Sequence, residues 1–308
     1  MRGWLNRPGA GWWRGATGVR PGWRAVIYTA LLAALVVGEI WLLARLQPPW
    51  LRPEAQLSAG FVGLNEMLLL IPVLAATAVM AGLEGRSVLS CGLAGPLPGR
   101  NLMGGLLAGI AALSLLMALL LVGGLAESHL RGLSVRAVAT NLLAWLSVCL
   151  LVGLTEELAF RGYLQQVLSR GMGFWPAALL TSLIFGLLHS FNPHESVIGI
   201  AAACGAGLIF CLGLRRTFTL WWPIGFHAGW DFSENFLYGT HDSGQSCAGA
   251  LLDTLPHGPG WLSGGLAGPE GSLLGLGVEL LVAGVAFLFL RQRLLIWINA
   301  ALKSKQVS

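Results

Sequence analysis

The chain has 308 residues, of which 55% are hydrophobic and only 11% charged; its mean hydropathy is +0.71, whereas a soluble domain carries about 25% charged residues. This excludes a large soluble core and predicts an all-α fold, a polytopic membrane helical bundle. The net charge of +5 has a topological reading, because Lys and Arg collect in cytoplasmic loops. No Lys/Arg run interleaved with aromatics suggests a nucleic-acid partner.

Residues 1–24 carry five arginines, four tryptophans and no acid. They read as a cytoplasmic arm on the membrane surface. The apolar run that follows lacks a small-residue cleavage site, so an uncleaved first helix is expected. A spanning helix needs about 20 apolar residues. The segments 25–46, 61–82, 101–125, 138–161, 174–191, 196–214, 219–238 and 273–296 meet this, which predicts about eight transmembrane helices. They form one bundle over 25–300, with the polar motifs in 138–238 and a short cytoplasmic tail at 301–308. FNPHE reads as a tight turn between the fifth and sixth spans. Glycine patches such as GGLLAG and GLGVELLVAG allow close helix packing. The loop 239–272 is rich in Gly, Ser and Pro and has no Lys or Arg, as an external loop should. With both termini cytoplasmic, fourteen of the nineteen Lys and Arg fall on the inner side. Arg45, Arg52, Arg131 and Arg136 fall on the outer side, and Arg161 lies in a span. The five cysteines form no CxxC pair, so no disulfide framework is expected.

An ionisable group at the centre of a spanning helix costs about 2.5–3.5 kcal/mol on insertion scales, and such groups turn toward the bundle interior. Three spans carry them in pattern. Glu157 and Arg161 on the fourth are four residues apart and share a face. Glu156 lies about 100° around the helix and is free of that pair, a candidate general base. His189 closes the fifth. His227 and Asp231 on the seventh again stand four apart, with Glu234 and Asn235 near the same face. A glutamate base with imidazole donors is a hydrolytic set: the carboxylate activates water and the histidines hold it or stabilise an oxyanion. Glu39, Asn65, Glu66, Asn141 and Glu279 read as interhelical hydrogen bonders. On these boundaries Glu156 sits near the inner end of its helix, while His189 lies about 22 Å along the fifth. A fourth helix continuing toward Ser169 levels the two.

EELAFRG is similar to the EExxxR motif, FGLLH to FxxxH and HAGWD to Hxxx(N/D) of the CPBP intramembrane proteases. That family includes the type II CAAX prenyl endopeptidases and bacteriocin-processing or self-immunity proteins. WLSGGLAGPEGSLL also resembles a glycine-rich segment that many bacterial members carry before the last helix, and the likeness runs over about 85–300. It implies an intramembrane endopeptidase. Glu156 is then the general base, His189 helps orient the water, His227 and Asp231 form the oxyanion-stabilising pair, and Glu157 and Arg161 order the site. Asp231 stands where prenyl-protease members often have Asn. An amide donates a hydrogen bond and an ionised carboxylate does not, so Asp231 either acts protonated or orients His227. Pro223 stands where some members have Phe. No cofactor is expected, with one alternative: Glu156, His189 and His227 as a zinc set with an open position. The implied partner is a membrane-embedded or membrane-associated protein or peptide, and the implied location is the bacterial inner membrane. A C-terminal sorting signal, as in the myxosortase branch, is one candidate substrate. Two further readings use the same residues: a non-catalytic immunity or scaffold protein that keeps the fold, and a transporter with Glu156 and Glu157 as a proton relay.

Overall fold

The apolar segments fold as helices whose ends follow local chemistry. The computed structural model describes residue 5 and residues 11–16, 18–49 and 56–288. Among these residues the longer helices are, in chain order, α1 (Pro21–Leu46), α2 (Ala59–Leu83), α3 (Pro98–Val122), α4 (Val135–Met172), α5 (Phe174–His189), α6 (Val197–Thr217), α7 (Trp221–Phe232, continued by a π-turn at Ser233–Tyr238) and α8 (Leu273–Leu288). Five of them, α1, α2, α3, α4 and α6, are long and apolar enough to cross a membrane; α5 and α8 are shorter apolar helices. The hydroxyls of Ser58, Ser134 and Ser196 cap α2, α4 and α6, accepting from the amides of Phe61, Ala137 and Gly199. Each supplies a partner for an otherwise orphaned helix N–H.

The main correction to the expected spans concerns α4. It does not end at 161 but runs to Met172, through a π-turn at Leu158–Leu164 with a kink at Gly162. The extension QQVLSRGM is too polar for a hydropathy pattern to find, yet it buries Gln165, Val167 and Leu168. Gly173 alone, at φ 86°, then turns the chain into α5. Glu156 stands seventeen residues before Gly173 and His189 sixteen after it, so the hairpin brings them level. The last predicted span is described through Leu288; its remainder, the tail 301–308 and parts of the N-terminal arm lie outside the described residues.

Glycine sets how closely α7 approaches its neighbours. Gly105 and Gly109 of α3 lie against the backbone of α7 at Trp222 and Phe226, and Gly225 and Gly229 of α7 lie against Leu102 and Leu106 of α3. At none of the four is there space for a Cβ. This two-sided small-residue crossing, legible in GGLLAG, brings the helix carrying His227 into the bundle by backbone contact.

At one end of the bundle the carboxylate of Glu84, just past α2, gathers four donors and ties its own segment to α1 and α4. It accepts from Arg24 (2.9 Å), Arg86 (2.9 Å), Arg170 (3.0 Å) and the Tyr163 hydroxyl (2.8 Å). Arg24 also donates to the carbonyls of Leu5 and Val19, both buried residues. The described part of the arm, with a short ladder of Arg14–Gly15 on Gly18–Val19, therefore packs onto the bundle. Burial opposes ionisation of Glu84, but the four donors outweigh it and hold its carboxyl down to about 2 from 4.5. A depressed carboxyl stabilises the fold above its unfolded value and loses that contribution as pH falls through the folded one. The shift corresponds to ~3 kcal/mol. In detergent, the unfolding midpoint is expected to drop between about pH 5 and pH 2. Glu84→Gln is expected to remove that drop and to be less stable at neutral pH; a pH series of thermal melts checks both.

At the other end, the loop 239–272 is an ordered cover. Its strand Leu252–Pro256 pairs antiparallel with Ala126–Leu130 from the α3–α4 connection, and Arg131 bridges to Asp253 at 2.6 Å. Trp145 of α4 donates to the Ala248 carbonyl at 3.0 Å. Asn235, at the end of α7, donates to Asp242 at 2.5 Å.

Candidate active site

Local periodicity alone pairs Glu157 with Arg161 and His227 with Asp231; packing of α4 against α7 joins the two pairs. Both helices also widen into π-turns directly after these acids, at Leu158–Leu164 and Ser233–Tyr238, a distortion often found at functional sites. Arg161 Nη1 reaches Glu157 Oε1 at 3.0 Å, and both side chains are 0% exposed. The guanidinium is boxed by aromatic faces, 4.4 Å from the ring centroid of Phe185, 5.1 Å from Phe210 and 5.6 Å from Phe160. Such contacts offset part of the desolvation of a buried cation.

His227 is the hub. Its Nδ1 faces Glu157 Oε1 at 3.4 Å. Its Nε2 faces Glu156 Oε2 at 3.7 Å and Asp231 Oδ2 at 3.6 Å. These last two are ion-pair separations rather than hydrogen bonds. The ring stacks on Phe210 with centroids 4.9 Å apart and planes 16° from parallel. Glu156 stays out of the Arg161 pair, as its place on the helix required. His189 Nδ1 lies 2.9 Å from the Phe185 carbonyl. The Phe185 ring stands between the two histidines, with its centroid 4.6 Å from that of His189 and 6.3 Å from that of His227. Glu156, His189, His227 and Asp231 all line one cavity of about 800 Å³.

Residues given no chemistry on sequence alone also line it. Glu66 of α2 and Glu279 of α8, read as helix glue, face the cavity together with Glu195, Asp242 and Glu270. The signal for the loop acids was present but indirect: a segment of 239–272 with acids and no Lys or Arg. Among the described residues, the His, Cys, Asp and Glu ligand atoms that cluster within 4.8 Å of one another belong to Asp231, Glu234 and Asp242. Glu156, His189 and His227 do not form such a cluster.

A cavity of about 800 Å³ lined by carboxylates and imidazoles, inside a bundle with five helices of membrane-spanning length, defines a class: an integral membrane protein with a buried acid–base centre. Residues 137–233, which hold Glu156, Glu157, Arg161, His189, His227 and Asp231, match the family model for the Rce1-like type II CAAX prenyl endopeptidases. The match covers that segment of the chain, is consistent with a CPBP family intramembrane protease, and supports a CAAX-type endopeptidase at the level of the family. No curated protein matches the chain.

Proposed function

We propose that the protein hydrolyses a peptide bond of a membrane-associated protein or peptide by a glutamate-based, metal-independent mechanism. The observation that carries this is the placement of Glu156 and Asp231 on either side of His227 Nε2, at 3.7 and 3.6 Å, inside a cavity that His189 shares. Glu156 takes a proton from water as its oxygen attacks the scissile carbonyl carbon, then gives that proton to the leaving amine nitrogen. His189 donates its Nδ1–H to the Phe185 carbonyl, which leaves Nε2 as an acceptor that orients the water. His227 directs Nε2–H at the developing oxyanion, and Asp231 orients the ring from the next turn. Glu157 holds Nδ1–H and is itself fixed by Arg161, the role a buried carboxylate plays behind a catalytic imidazole.

The donor geometry supports a route without metal. Among the described residues, the ligand atoms of Glu156, His189 and His227 do not gather within 4.8 Å of one another, as three ligands of one zinc ion would. Dialysis against a chelator is expected to leave turnover within about twofold; loss of turnover restored by zinc overturns this part of the reading. The distribution of Arg and Lys supports an orientation with both termini cytoplasmic, and the glycine-rich segment before the last helix, resembling that of bacterial members, fits a bacterial inner membrane. The general test is comparison of membrane fractions from cells expressing the wild type or Glu156→Gln. New peptide termini are expected with the former and absent with the latter.

A further inference from the structure

The cavity holds more carboxyl groups than the chemistry needs. Beyond Glu156 and Asp231 it is lined by Glu66, Glu195, Asp242, Glu270 and Glu279, and among the described residues no Lys or Arg lines it. The acids at the loop end are held by neutral donors. Glu195 accepts from the Ser196 amide at 2.7 Å, Asp242 from Asn235 at 2.5 Å, and Glu270 from the Ser243 amide at 3.3 Å. Glu279 is 6% exposed, and one of its carboxylate oxygens has no hydrogen-bond partner. It lies against Gly205 of α6, where a Cβ has no room. Burying carboxylates without cations costs several kcal/mol per ion. A cation supplied from outside completes the arrangement.

We propose that Glu195, Asp242, Glu270 and Glu279 form a subsite that seats a basic side chain, Arg or Lys, of the peptide substrate next to the scissile bond. The acids come from separate walls, the 190–196 turn, the covering loop and α8, and line the one cavity. A guanidinium offers five donors in a planar fork and suits such an array. Ala202, Ala203 and Ala206 of α6, in the same wall, provide an apolar surface for the carbon stem. The position next to a scissile bond rests on the endopeptidase reading; the binding preference does not.

The test uses the full chain in nanodiscs and a fluorescent apolar peptide carrying one Arg, compared with the same peptide carrying neutral citrulline. Anisotropy is expected to show the Arg peptide binding at least about tenfold more tightly. The preference is expected to shrink to under about threefold in a Glu270→Gln/Glu279→Gln variant. Equal affinity of the two peptides for the unmodified protein overturns the proposal whether or not the variant folds. Tight binding of calcium alone, with loss of the Arg preference, overturns it in favour of a divalent-cation site. An Arg preference without Glu156-dependent cleavage sinks the endopeptidase reading and keeps the subsite. Cleavage without the preference does the reverse.

Discussion

Glu156→Gln is expected to lower turnover of a membrane peptide by about 10²–10⁴-fold, the range of general-base catalysis, without unfolding the protein. The amide keeps the shape of the side chain and cannot accept the proton that water must lose. The fold has little stake in this carboxylate. Its side chain is 28% exposed to the cavity, and Arg161 is neutralised by Glu157 instead. Single-turnover kinetics in nanodiscs, with a thermal melt of the same preparation, separate the two effects. Wild-type turnover in the variant ends the proposed mechanism, whatever else binds in the cavity.

Arg161→Ala is expected to act in the opposite way, through stability. The Glu157–Arg161 pair is fully buried, and removing one partner from such a pair costs about 3–5 kcal/mol because the other is left as an uncompensated charge. Removing Glu157 as well leaves no orphan. The double variant Glu157→Gln/Arg161→Ala is therefore expected to be more stable than Arg161→Ala alone, a coupling that a double-mutant cycle measures. Arg161→Lys is expected to recover part of the loss. It restores the charge but not the planar group set between Phe185 and Phe210. Denaturant unfolding in detergent reads the wild type, Glu157→Gln, Arg161→Ala, their double variant and Arg161→Lys. An Arg161→Ala midpoint equal to that of the wild type refutes the account of the pair.

Composition and periodicity determined much of this protein. The run of apolar segments specifies a helical bundle, since a chain in lipid must satisfy its backbone internally and helices do so, although five of the eight expected spans are long enough to cross a membrane. The i,i+4 spacing specifies that Glu157 meets Arg161 and that His227 shares a face with Asp231. The ordered motifs pointed to a protease family, and the family match over residues 137–233 agrees. The tertiary structure decided what spacing cannot reach. His227 meets Glu157, seventy residues away in the chain, because α7 packs against α4 and crosses α3 at glycines. The true length of α4, which levels Glu156 with His189, depended on burial of a polar extension that hydropathy ends early. The acidic mouth depended on the loop 239–272 folding back to deliver Asp242 and Glu270. Helical periodicity carries information across a turn or two; contacts between distant segments arise from close packing, and that is where the site is assembled.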